Sequence, residues 1–463
     1  MNTMTLRMLN MAVAEDRATL EQLLARLRGQ SAATGDTAAA VAAILEDVRQ
    51  HGDEAVVRYM RKWTDPTFQP DRIRVTADEL EAAERSLLPG VRDALLAAIE
   101  HVRTYQSHIL PADPKTLTLD GAALGLRWTP IRRVGAHAPG GRAAYPSTVM
   151  MTVVPAQVAG VKEIAVVCPP PTRSSSSSPS GGGRERGAET SAQAQQNQQD
   201  DVSPLVLATC HLLGVTEVYR IGGAQAIAAL AFGTDTVQPV DFIAGPGNAF
   251  VQQAKRQVFG TVGIDGFYGP SEVVILADDS ADPAMIAADL LAQAEHDPGS
   301  CFLISTSAKI IERINAQIVT QLPGLARRDV IAQSLRDWSA AILAVDETEA
   351  LQWVDTFAAE HVTLAVGNPH DVLKKLRNGG AFFLGDRTPV ASGDYYAGPS
   401  HCLPTGTTAR FTSGISAYTF LKRSSVEHYP QGPDARTIDH IAALAEAEGL
   451  DAHAASVRAR TKN

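Results

Sequence analysis

An α/β protein with two parallel-sheet domains is the fold class this sequence predicts, and three observations carry the prediction. From Arg127 onward, short apolar runs alternate with segments of helical periodicity, the signature of parallel strands covered by helices. The alternation runs as one series to about residue 271 and starts again at 272. The chain has 463 residues, more than one ordinary core organises.

The elements follow in order. Residues up to about Leu126 read mostly as helices, with helical spacing in "TAAAVAAILEDVRQHG" and "VRDALLAAIEHVRTY". "IRRVGAHA" reads as a strand ending at the Pro139-Gly140-Gly141 turn. "VMMTVVPAQVAG" is a helix with an internal proline, and "VKEIAVVC" the next strand. Then come helix "SPLVLATCHLLG", strand "VTEVYRI", helix "AQAIAALAF", strand "VDFIA" and helix "AFVQQAKRQVF". The second series opens with strand "EVVILA". Asp282 is placed to cap the following helix, with Pro283 at its first position. Strand "CFLIST", a helix, strand "AAILAV", a helix ending at His361, and strands "TLAV" and "AFFL" complete it.

The expected organisation is a helical segment at 1–34, a discontinuous first α/β domain at 35–131 and 272–410, and a second at 132–271. Both α/β domains are Rossmann-like, and a helical tail follows at 411–463. Within the second domain, residues 172–201 hold five consecutive serines, three consecutive glycines and a glutamine-rich end. Such a stretch buries too little surface to offset its ordering entropy and reads as a disordered insertion.

Composition narrows the function. With 45% hydrophobic and 20% charged residues the chain reads as a globular enzyme, and a net charge of −10 disfavours nucleic acid or an anionic membrane as partner. Cys168, Cys210, Cys301 and Cys402 lie far apart without a CxxC, so neither a disulfide framework nor a thiolate zinc site is expected. Arg7 and Asn10 interrupt the one apolar stretch near the start, so no signal peptide or membrane span is expected and the cytoplasm is the default location.

Polar groups break into apolar segments at a few places. "LAQAEHDPGS" ends an apolar helix with Gln293, Glu295 and His296, of which Gln293 and His296 share a face. "FAAEHVTLA" puts Glu360 beside His361, two proton-transfer groups at one sheet edge. "ASGDYYAGPSH" carries Asp394 and His401, and "EAEGLDAH" carries Glu448 and His453. Each alone reads as surface polarity at a helix end or loop. Together they offer oxygen and imidazole donors that suit zinc. "RIGGAQ" and "AGPGNAF" place glycines before helices, where backbone can approach a phosphate, although neither is a GxGxxG fingerprint.

Taken in order, "RIGGAQAIAALAFGT", "GPGNAFV", "GPSEVVILAD", "DLLAQAEHDP", "EHVTL", "GDYYAGPSH", "LPTGTTARFTSG" and "AEAEGLDAH" resemble the histidinol dehydrogenase family. The resemblance spans residues 35 to 460 apart from the insertion. It implies oxidation of L-histidinol through L-histidinal to L-histidine, with NAD, one zinc ion per subunit and a homodimer. By matching motif it implies zinc ligands Gln293, His296, Asp394 and His453. Ser271, His361 and Glu448 would complete the substrate pocket, and His137, Gln225 and Asn248 would meet NAD, which makes residues 132–271 the NAD-binding domain. His361 would act as base and Glu360 would activate water. The resemblance also implies that the tail 411–463 crosses to the partner subunit. The chain departs from the family pattern at His137, where a tyrosine is common, at Ala359 in place of a proline and at Ser400 in place of an asparagine.

Three competing readings carry their own discriminants. A paralogous zinc- and NAD-dependent dehydrogenase of another small alcohol need not keep Glu448. A zinc hydrolase would use Glu360 for direct attack, against which stand the glycine turns. A binding protein with a dead site is opposed by the complete polar set.

Overall fold

The computed structural model describes residues 5–30, 35–140, 145–171, 201–296 and 299–460. Its larger sheet contains β1 (Met8–Asn10), β9 (Glu272–Ala277), β10 (Ser300–Ser305), β11 (Ala340–Leu343), β12 (His361–Ala365) and β13 (Ala381–Leu384). These six strands are all parallel, in the order β1-β11-β10-β9-β12-β13. The smaller sheet contains β4 (Arg133–His137), β5 (Glu163–Val167), β6 (Glu217–Tyr219), β7 (Phe242–Ala244) and β8 (Gly263–Ile264), also parallel, in the order β6-β5-β4-β7-β8. A third, antiparallel sheet joins β2 (Leu117–Leu119), β3 (Ala122–Pro130) and β14 (Leu421–His428) in the order β14-β3-β2.

Side chains alternate along each strand and build a core on either face. In the larger sheet Val273 and Ile275 pack with the helices Pro283–Ala294 and Ala308–Gln321, while Val274 and Leu276 pack with Ala14–Gln30 and Glu347–Phe357. In the smaller sheet Val134 and Val166 face the helices Pro146–Ala159 and Pro204–Leu212. Ala165 and Val167 face Gly35–Trp63 and Gly223–Phe232. Asp282 caps its helix as expected, its carboxylate accepting from the amides of Ala284 and Met285.

Four expectations are corrected. The helices Gly35–Trp63, Ala77–Arg85 and Pro89–His108, expected with residues 272–410, pack on the smaller sheet: Val41, Val48 and Val56 join Ala165 and Val167, and Leu80, Ile99 and Val102 join Val134. The segment at 1–34 is not wholly helical, because Met8–Asn10 adds the edge strand of the larger sheet. The tail at 411–463 has the 3-10 turn Ala417–Phe420 and then β14, paired along its whole length with β3, before the helices Ala435–Ala447 and Asp451–Arg458. The helix expected to end at His361 stops at Phe357, Ala358 turns the chain in the left-handed region at φ 42°, and His361 starts β12. The insertion at 172–201 lies outside the described residues except for Asp201, which pairs with Arg220 at 2.9 Å. No helix among the described residues is long and apolar enough to cross a membrane, and all four cysteines are free and buried.

Candidate active site

A cleft of about 550 Å³ lies where the carboxyl ends of β4 and β7 meet the amino ends of β9 and β12. Pro139, Pro246, Gly247 and Asn248 form the wall contributed by the smaller sheet. Ser271, His296, Glu360, His361, Asp394 and His401 form the wall contributed by the larger one. The smaller sheet therefore uses the strand ends at which α/β proteins commonly bind ligands. The larger sheet uses the opposite ends.

Glu360 and His361 reach the cleft because the helix before them ends early. Glu360 precedes β12, and its carbonyl accepts the Ala381 amide at 2.9 Å. Gly380 passes so close that a Cβ there would lie 2.5 Å from that same carbonyl oxygen, so only glycine fits without a shift. The Glu360 carboxylate accepts from Ser271 Oγ at 2.6 Å and from the Glu272 amide at 3.0 Å. Burial nevertheless dominates and pushes it up to about 7, against the pull of those hydrogen bonds.

His361 lies between two carboxylates: Nδ1 is 3.8 Å from Glu360 Oε2 and Nε2 is 3.6 Å from Asp394 Oδ1. Its Nδ1 is buried without a hydrogen-bond partner. Burial holds the imidazole down at about 4, so it is neutral at physiological pH. His401 is likewise held at about 4 by burial, with Nδ1 paired to the Asp394 carbonyl at 2.8 Å and Nε2 3.4 Å from Thr148 Oγ1. Ser271 also ties in Gln293, whose Nε2 donates to Ser271 Oγ at 2.9 Å. His296 Nδ1 turns back to the Gln293 carbonyl at 3.2 Å.

The chain thus brings Ser271, His296, Glu360, His361 and Asp394 to one cleft, with Gln293 behind Ser271. One imidazole, one carboxylate and one amide oxygen suit a borderline divalent cation. Among the described residues no group of three or more His, Cys, Asp or Glu forms a complete metal cage. The fourth expected ligand, His453, is exposed in the last helix, and Glu448 is exposed at the end of the helix before it. These two helices pack on each other through Ile438, Ala442, Ala445, Ala454 and Val457, a small cluster separate from the main cores.

Three residues expected at a cofactor have different placements. Asn248 lines the cleft and caps the helix Ala249–Val258, its Oδ1 accepting from the amides of Phe250 and Val251. Gln225 is buried outside the cleft, its Nε2 3.6 Å from Met60 Sδ in the helix Gly35–Trp63. His137 is buried too, with Nδ1 2.7 Å from the Pro246 carbonyl oxygen.

Sequence reasoning passed over Glu272. It starts β9 beside Glu360, accepts the Gly406 amide at 3.0 Å, and is pushed by burial up to about 8. The available signal was a charged residue leading straight into the apolar run "VVILA". It also passed over Lys255 and Asp265, which form an ion pair fully shielded from solvent.

The model of the histidinol dehydrogenase family matches residues 27–180 and 188–461. Histidinol dehydrogenase of Rhodopirellula baltica is 44% identical over 422 residues, covering 91% of this chain and 86% of its own length. That of Caulobacter vibrioides is 45% identical over 427 residues, covering 92% of each. The crystal structure of histidinol dehydrogenase from Elizabethkingia anophelis is similar over 98% of each chain, with 30% identity and a TM-score of 0.86.

Proposed function

The chain belongs to the histidinol dehydrogenase family, oxidoreductases of histidine biosynthesis, and from that premise we propose that it oxidises L-histidinol through L-histidinal to L-histidine with NAD and zinc. The observation that carries the reading is that Glu360 and His361, adjacent in the chain and different in protonation, open into one cleft with His296 and Asp394.

Gln293, His296 and Asp394 would hold zinc from one subunit, and His453 would come from a second copy of the chain. When bound, zinc would hold and polarise the substrate as a Lewis acid and NAD would supply the hydride acceptor. His361, neutral at physiological pH, takes the hydroxyl proton in the first oxidation. Asp394 beside Nε2 stabilises the imidazolium that forms. Glu360 ionises near neutrality and takes a proton from the water that adds to the aldehyde before the second oxidation. Ser271 orients that carboxylate through its 2.6 Å hydrogen bond and links it to Gln293.

The tail supports a shared site. Its exposed apolar residues Ile441, Leu444 and Leu450, with His453 and Glu448 exposed and outside the cleft lining of their own chain, suit docking onto a second copy. The reading is tested with purified protein, L-histidinol and NAD, following NADH absorbance. About two NADH per histidinol are expected, as a four-electron oxidation requires. One NADH per substrate with free histidinal accumulating would refute it.

A further inference from the structure

The turn Gly245–Asn248 follows β7 and reaches the cleft through Pro246, Gly247 and Asn248. Three consecutive carbonyl oxygens of this turn each accept from a buried side chain. Lys255 Nζ donates to the Gly245 oxygen at 2.9 Å, His137 Nδ1 to the Pro246 oxygen at 2.7 Å, and Gln252 Nε2 to the Gly247 oxygen at 3.2 Å. With its carbonyls committed inward, the turn keeps the amides of Gly247, Asn248 and Ala249 undonated among the described residues, and all three residues line the cleft. Gly245 permits the arrangement: its φ is +108°, and a Cβ would lie 2.2 Å from the His137 carbonyl oxygen.

Two of these side chains also grip the neighbouring loop. Gln252 Oε1 accepts the Tyr268 amide at 2.9 Å. Lys255 pairs with Asp265, whose carboxylate also accepts the Gly245 amide at 2.6 Å and the Gly266 amide at 2.9 Å. Gln252 and Lys255 sit three residues apart on the helix Ala249–Val258, hence on one face. That face bridges the glycine turn and the loop leading through Tyr268 to Ser271. Ser271 has further anchors in Glu360, Gln293 and the Ser300 amide. Removing the bridge therefore frees the turn and leaves the serine held.

We infer that Gln252, Lys255 and Asp265, with His137, are positioning residues that set the cofactor-facing turn against the loop carrying Ser271. The inference rests on the proposed use of NAD. A buried ion pair is a poor source of stability, since desolvation offsets its attraction and apolar replacements of similar volume are often neutral or better. Its place here is explained by the backbone groups it orients.

The test is Lys255→Met combined with Asp265→Asn, which removes both charges together and avoids a lone buried ion. NAD binding is measured directly by calorimetry on the zinc-loaded protein, alongside kinetics and melting temperature. The expected result is a melting temperature within about 5 °C of the unmodified protein, on the scale of a ~1 kcal/mol change. Loss of the hydrogen bonds ordering the turn should raise the NAD dissociation constant ~10-fold or more, with kcat at saturating NAD and KM for histidinol within ~3-fold. An unchanged NAD affinity, or equal losses toward NAD and histidinol, overturns the inference. Failure of the unmodified protein to bind NAD overturns the functional reading and the inference with it. If the double variant does not fold, Gln252→Leu, which strips the donor from the Gly247 oxygen and the acceptor from the Tyr268 amide, gives the same decision by the same measurements.

Discussion

Replacing Ser271 by alanine should move the pH dependence of the second oxidation. Ser271 Oγ donates to Glu360 Oε2 at 2.6 Å in a site where burial has already pushed that carboxyl up to about 7. The hydrogen bond favours the charged form, so its loss raises the pKa further. A hydrogen bond to a charged group is worth about 1.5–3 kcal/mol, and each pKa unit about 1.4 kcal/mol, which sets a rise of about 1–2 units, to about 8–9. At pH 7.5 the ionised fraction of Glu360 then falls from about three-quarters to between about 3% and 25%, so the rate of aldehyde oxidation drops ~3- to 25-fold. The assay is the pH–rate profile for L-histidinal with saturating NAD. In the variant the loss should recover as the pH climbs past 9. A profile lowered by the same factor at every pH would refute the reasoning, because a lost substrate contact lowers the rate without moving the limb.

Three further outcomes are expected. Glu360→Gln should slow oxidation of the hydrated aldehyde more than that of the alcohol, whereas His361→Asn should slow both, as each needs a proton acceptor; equal losses in pre-steady-state traces of Glu360→Gln would sink the division of labour. His137 is held by burial at about 4, below the ordinary imidazole value of about 6.5, so the unfolded chain gains a proton between those pH values that the folded chain refuses. Stability falls as pH drops through that window, by about 3 kcal/mol in all from this group, and His137→Phe should remove that share in urea unfolding at pH 7 and pH 4; an unaltered acid loss would show the imidazole titrates normally. Co-expressed His453→Asn and Glu360→Gln subunits should regain activity in the mixed dimer, where one site combines a sound body with a sound tail; a folded, zinc-loaded but inactive heterodimer would rule out a shared tail.

Much of the fold was legible because burial writes itself into apolar periodicity. The alternating runs gave the strands of both parallel sheets except β1 and β8, and Asp282-Pro283 marked its helix start correctly. What stayed hidden was set by contacts distant in sequence. Met8–Asn10 is too short to show a period, and "LKRSSVEH" is polar because β14 is exposed along nearly its whole length. The helices between 35 and 108 are amphipathic, which says that they pack but not on which sheet. In the site, Glu360, His361, His296 and Asp394 stood out as polar residues breaking apolar segments, and the fold brings them to one cleft. Lys255 could not be seen the same way: a lysine on an amphipathic helix normally faces water, and only the neighbouring loop shows why this one is fully buried.

The edge strand β1 carries a consequence for how the chain is made. Met8 pairs with Ala341, so roughly 330 residues must leave the ribosome before that contact exists. At ~5–20 residues per second the wait is roughly 17–67 s. Until β9 emerges, the strands and helices between Gly35 and Ile264, which build the smaller sheet and its layers, can fold, while β1 and the apolar face of the helix Ala14–Gln30 lack the larger-sheet strands that cover them. Newly made chains therefore pass through an interval with a sticky amino-terminal segment, and this end of the molecule is where a holdase chaperone or a solubilising fusion should matter most.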